Sequence, residues 1–202
     1  MNERVNHAFL FYSLTEHTFL KGGPYFMYYT SLESYVYKLL HSIQKIKPEH
    51  LAFEEIAKKL DIELEYWNRS SEAVINGNKG LILLNQSLSK KEQNFEFGHE
   101  LAHVLMDCGQ QYGMPDLFRE YQEWKADSFA LHFCVPTFML EDLDIPHDIY
   151  KATRLVQKIF NVTTEVAIKR LKQLENKRQE EIILEEIRRK STERDRILNL
   201  WY

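Results

Sequence analysis

Apolar residues recur at helical spacing through 31–46, where Leu32, Tyr35, Val36, Leu39, Leu40 and Ile43 share one face. A second helix is expected after Pro48, whose fixed φ suits a first turn, with Leu51, Phe53, Ile56, Ala57 and Leu60 on its apolar side. The period then shortens. Residues 62–66, 73–75 and 81–84 read as short strands, and Asn76-Gly77 with Lys79-Gly80 mark a hairpin between the last two. Ser89 and Glu92 form a capping-box signature that opens a third helix reaching about Met106. A polar loop with Gly109, Gly113 and Pro115 leads to a fourth helix, from about Leu117 to Cys134, which Pro136 stops. Pro146 is expected to open a fifth helix, and Asn161-Val-Thr-Thr a sixth that continues toward the C-terminus. The pattern predicts an α+β fold in which a small three-stranded sheet packs on helices.

At 202 residues the chain is long enough for one compact domain with an appendage. Residues 1–30 are aromatic but show neither period, and they read as an N-terminal extension. Lys21-Gly-Gly23 shortly before Met27 is what a purine-rich ribosome-binding site gives when translated in frame, which makes Met27 an alternative start. Residues 31–174 hold the patterned domain. Residues 175–202 form a charged helical tail with Ile182, Ile183, Ile187, Ile197 and Leu198 spaced irregularly. A net charge of −4 supplies no basic field for nucleic acid. Two cysteines cannot frame a disulfide scaffold and fit a reducing compartment. No stretch approaches the ~18 apolar residues of a membrane span, and no signal peptide is evident. The expectation is a soluble cytoplasmic protein without a membrane partner.

The strongest chemical feature is His99-Glu-Leu-Ala-His103 on the third helix. Two His four residues apart project their rings from one helical face, which is what a zinc ion needs from neutral imidazoles. Glu100 points just beside them. Zinc lowers the pKa of a water toward ~7, and a carboxylate next to that water can accept its proton. Alone the motif arises by chance too often to decide anything; a capped helix with Phe95, Leu101, Val104 and Leu105 to bury it makes a stronger setting.

A catalytic zinc needs a third protein ligand. The fourth helix offers Glu120, Glu123 and Asp127. Glu123 and Asp127 are four residues apart and share a face, which suits Glu123 as ligand and Asp127 as acceptor from a ligand imidazole. Glu120, near the same face, is the fallback. The bland alternative is a solvated acidic stripe, but Phe129 and Ala130 immediately downstream indicate inward packing.

The run Phe97-Gly-His-Glu-Leu-Ala-His-Val-Leu-Met106, then Glu123-Trp-Lys-Ala-Asp-Ser-Phe-Ala130 and Val135-Pro136, resembles the ImmA/IrrE family of zinc metallopeptidases. Phe53–Ile62 and Phe160–Leu171 resemble the helices flanking that family's core, so the likeness covers about residues 31–174. It implies a compact zincin-like α+β core with His99, His103 and Glu123 as ligands, Zn2+ as cofactor and Glu100 as base. It also implies the family's task, limited cleavage of a helix-turn-helix repressor that silences a prophage, mobile element or stress regulon. The family's frequent His shortly after the second ligand is replaced here by the run Val104-Leu-Met-Asp-Cys108.

Other residues receive plainer readings. His132 is expected to pack or face solvent; His41, His50 and His147 have no partners at metal spacing. Cys108 and Cys134 read as small buried thiols. No residue stands out as an oxyanion stabiliser. Residues 81–84 lead directly into the metal-bearing helix and are expected to offer a free sheet edge on which a substrate strand pairs. Two other functions compete with the protease: a zinc-containing interaction protein that binds a repressor or toxin without cutting it, and a DNA-binding regulator using the helix over 162–171.

Overall fold

The computed structural model describes residues 29–76, 79–106 and 115–198. Cys108 and residues 1–28 of the 1–30 extension therefore lie outside the described residues. The fold is mixed α+β and mostly helical. Helix α1 (Ser31–Ser42) opens with a reciprocal cap: Glu33 N–H donates to Thr30 Oγ1 at 3.2 Å and Thr30 N–H to the Glu33 carboxylate at 2.7 Å. The expected second helix is divided. Pro48–His50 form a single 3-10 turn, and α2 (Phe53–Lys59) begins after it and buries Phe53, Ile56 and Ala57.

Strands β1 (Ile62–Trp67), β2 (Glu72–Asn76) and β3 (Lys79–Asn85) form one sheet in the order β1-β3-β2. β2 and β3 are the predicted hairpin, antiparallel from Glu72↔Leu83 to Asn76↔Lys79. β1 pairs parallel to the other side of β3, from Ile62↔Gly80 to Trp67↔Asn85. β3 is therefore central and presents no free edge, contrary to the sequence expectation. Four consecutive apolar residues, 81–84, are what an interior strand flanked on both sides requires. The free edges belong to β1 and β2.

Helix α3 (Lys90–Met106) starts at the predicted capping box, with Ser89 N–H donating to Glu92 at 2.8 Å. One side of α3 packs on β2 and β3, the other on α4 (Asp116–Cys134). At the sheet side, a Cβ on Gly80 would stand 2.7 Å from Val104, so a side chain there would push β3 off the helix. After α4 a short helix, α5 (Thr137–Glu141), occupies a stretch read as a simple stop, since Pro136 can lead a new helix as well as end an old one. Helix α6 (Ile149–Phe160) begins three residues beyond Pro146. Asp148 supplies the start, its carboxylate accepting from Lys151 N–H at 2.8 Å. Asn161 turns the chain with φ of 51°, in the left-handed region that Asn tolerates, into α7 (Thr164–Leu198).

The start of α7 is packed inward. Val162, Val166, Ala167 and Leu171 are buried, so the inner face of this turn and helix belongs to the core. Arg170 is only 2% exposed and bonds Val135 O at 3.0 Å, Gln173 at 2.6 Å and Thr137 Oγ1 at 3.0 Å. Thr137 Oγ1 donates onward to Glu33 at 2.7 Å, and Lys177 Nζ donates to Glu33 at 2.8 Å. Burial alone would raise the Glu33 carboxyl, but the Lys177 ammonium and the converging hydrogen bonds outweigh it and hold Glu33 at about 2. This network fastens α1, α5 and α7 together.

Candidate metal centre

His99 and His103 stand one turn apart on α3, ring centroids 4.8 Å from each other. α4 reaches them because of Gly98. A Cβ there would lie 3.2 Å from the Ala130 Cα and 3.3 Å from the Phe133 ring, so only a glycine lets the two helices approach this closely. That approach brings Glu123 and Asp127 over the imidazoles.

His99 Nδ1 lies 2.8 Å from Asp127 Oδ1. An ionised carboxylate can only accept, so His99 donates from Nδ1, which in the neutral ring leaves the lone pair on Nε2. Nε2 faces Glu123 Oε2 at 3.2 Å and His103 Nε2 at 3.1 Å, while Glu123 Oε1 is 3.8 Å from His103 Nε2. These side chains thus converge as a group that could hold a cation. All three donor atoms fall within 4.8 Å of one another, and among the described residues no other trio of His, Cys, Asp or Glu does so. Around tetrahedral zinc, with bonds of ~2.0–2.2 Å, neighbouring ligand atoms sit about 3.3 Å apart. The two imidazole nitrogens and the nearer Glu123 oxygen stand close to that spacing from His99, and a small closing movement of the carboxylate would bring the trio around one ion.

Glu100 is 7% exposed. Burial pushes its carboxyl above the ordinary carboxylate range, opposed in part by the two imidazoles and by a hydrogen bond it accepts from Ala73 N–H. Ala73 lies on β2, so this edge strand, and not β3, borders the site. Glu120, the fallback ligand, is exposed and stands outside the trio. His132 is half-buried against α7; burial and then Arg170 push its imidazole down to about 3, which leaves it a neutral packing group. Cys134 is buried and donates to Asn94 O at 3.3 Å.

Two contributors escaped the sequence reading. The Ala73 N–H has no side-chain signature and is visible only once the sheet is assembled. Gly98 did leave a signal: an isolated glycine inside a helical run, directly before a candidate ligand, marks close packing.

The chain is similar to two proteins of Bacillus subtilis (strain 168). It is 40% identical to phage-like element PBSX protein XkdA over 151 residues, covering 75% of this chain and 76% of that one. It is 34% identical to uncharacterized protein YqaB over 147 residues, covering 72% and 86%. Residues 49–172 match the profile of peptidase M78, the IrrE N-terminal-like domain. That span runs from the 3-10 turn to the first turns of α7 and encloses both helices of the site, so the chain belongs to the IrrE N-terminal-like family of peptidases.

Proposed function

We propose that the chain is a zinc-dependent endopeptidase making limited cuts in a protein partner, and that the partner is a helix-turn-helix repressor of a prophage or mobile element. The observation that carries this reading is the convergence of His99, His103 and Glu123 beside a buried Glu100. His99, His103 and Glu123 would hold the ion, with Asp127 fixing the tautomer and orientation of the His99 ring. Zinc there would supply Lewis acidity and bring the pKa of a water toward ~7. Glu100 acts as the base: its carboxylate takes a proton from the attacking water and hands it to the leaving amine nitrogen. The Ala73 N–H keeps that carboxylate aimed while leaving it lone pairs to spare. An extended stretch of substrate would add to the outer edge of β2, next to Glu100, by main-chain hydrogen bonds. Such pairing requires an unfolded linker and restricts cleavage to few targets. The phage-like element named for one relative supports a mobile-element setting.

The test uses zinc-loaded wild-type and Glu100→Gln protein with a helix-turn-helix repressor from the same mobile element as substrate. Glu100→Gln should keep its zinc and cut about 10²–10⁴-fold more slowly. Equal rates would end the catalytic role of Glu100. A repressor bound but left intact by the wild type would make the protein a zinc-containing binding module instead.

A further inference from the structure

The inner side of α4 belongs to the core, yet the outward side of its first half is not the charged face that a solvated helix ordinarily shows. Leu117, Tyr121 and Trp124 follow one another at four and three residues and so form a single row along the helix, with Phe118 at its border. Leu117 is 81% exposed, Tyr121 56%, Trp124 64% and Phe118 47%. The Tyr121 and Trp124 rings stack with centroids 6.1 Å apart and 28° between their planes, which makes them one platform. Together the four side chains leave about 500 Å² of largely apolar surface open, near the upper end of what a monomer shows in one patch and a frequent mark of an interaction site. Trp and Tyr are also the residues that most often anchor protein–protein contacts.

The place of this row says what covers it. Helix α3 carries His99 and His103 between β2 on one side and α4 on the other. Trp124 is the next residue after Glu123 and projects about 100° further around α4. A protein segment that lies on the outer edge of β2 and crosses Glu100 therefore reaches α4 at Glu123 and meets the row directly afterwards. Glu120 stands between the two, exposed and in no ion pair among the described residues. We propose that the row over Leu117, Tyr121 and Trp124 is the docking surface for the protein that is cut. It holds an apolar patch on the folded part of that partner, bordered by a basic residue opposite Glu120, while the partner's linker lies over the metal. This rests on the proteolytic reading above and adds how the partner is chosen. The areas agree with one partner covering both places. A standard specific complex covers about 800 Å² on each protein, more than the ~500 Å² of the row, and a short strand added at β2 supplies the remainder. Held at the row, the partner also keeps its linker at high effective concentration beside the metal. Selection then depends on the partner's surface as well as on the sequence at the cut.

Binding and cutting are measured separately on the full chain. A fluorescently labelled helix-turn-helix repressor from the same mobile element is titrated with zinc-loaded protein carrying Glu100→Gln, so that complexes accumulate uncut. Trp124→Ala should raise Kd about thirtyfold, Tyr121→Ala about tenfold and Glu120→Lys about fivefold. Tyr150→Ala, at an exposed tyrosine on α6, should bind as the parent does. Each variant should keep its zinc and its circular dichroism spectrum, since the side chains point outward. With Glu100 restored, Trp124→Ala should raise KM for the intact repressor and leave kcat close to wild type. Equal affinity of the Trp124→Ala and Tyr121→Ala proteins and their parent overturns the docking surface and leaves the proteolytic reading standing. Binding that depends on Trp124, to a repressor that wild type never cuts, keeps the docking surface and ends the proteolytic reading. No binding of the repressor, or a wild-type dimer that Trp124→Ala dissociates in light scattering, overturns the assignment of the row to the substrate.

Discussion

Two clusters of polar side chains lie in this small fold, one buried and one partly open to solvent, and they are built on opposite rules. Around Arg170, every charge has its complement: Glu33 meets Lys177 and Thr137, Thr137 meets Arg170, and Arg170 closes on Val135 O. Around His99 the groups that meet are imidazole nitrogens and carboxylates, the donor set of a metal-ligand cluster. The first arrangement is complete as it stands and stabilises the packing of α1, α5 and α7. The second is incomplete by construction. Imidazoles and carboxylates converging in this way are what an ion would complete, and the contrast supports reading the second cluster as a metal centre.

Removing one member from each cluster should sharpen the contrast. Glu33→Leu takes the anion from between Lys177 and Arg170 and deletes half of the α1 cap. It should cost about 3–5 kcal/mol of stability in denaturant unfolding. The pH dependence follows from the same residue. Glu33 is held at about 2 in the folded chain, below its unfolded value, so its contribution is full above ~4.3 and is lost as pH falls from there toward 2. Wild type should therefore lose about 3 kcal/mol across that window, and Glu33→Gln should show a flatter acid limb. A steep limb in Glu33→Gln would assign the acid sensitivity elsewhere.

Effects at the other cluster should be smaller on folding and larger on metal. Asp127→Asn keeps the shape but presents His99 with an amide in place of a carboxylate. Zinc affinity should fall about 10–100-fold, read by chelator competition. Smallest of all is Glu123→Ala in metal-free protein, which should leave stability within about 0.5 kcal/mol of wild type, since Glu123 is about half exposed and its contacts are solvent-screened. A loss comparable to that of Glu33→Leu would erase the distinction between the clusters.

The site was more legible in the sequence than the fold around it. Helical periodicity alone puts His99 and His103 on one face, and four-residue spacing puts Glu123 with Asp127, so both halves are local facts. What joins them is tertiary. The rank of β3 in the sheet depends on a parallel pairing between β1 and β3 that no short-range pattern encodes, and it leaves β2 rather than β3 with the free edge beside Glu100. The Arg170 network links residues more than a hundred positions apart, from Glu33 to Thr137 and Lys177. Each of those residues reads as an ordinary polar position on its own helix. The start of α6 was misplaced because Pro146 is permissive for a first turn, whereas Asp148 supplies the hydrogen bond that fixes it.

The central claim is that His99, His103 and Glu123 form one metal centre, and zinc content per chain tests it most directly. Protein purified with zinc present and freed of loose ions should carry about one zinc per chain. His99→Ala and His103→Ala should carry essentially none, while Glu33→Gln keeps the wild-type amount. Zinc bound equally well by His103→Ala, or none bound by the wild type, would contradict the account.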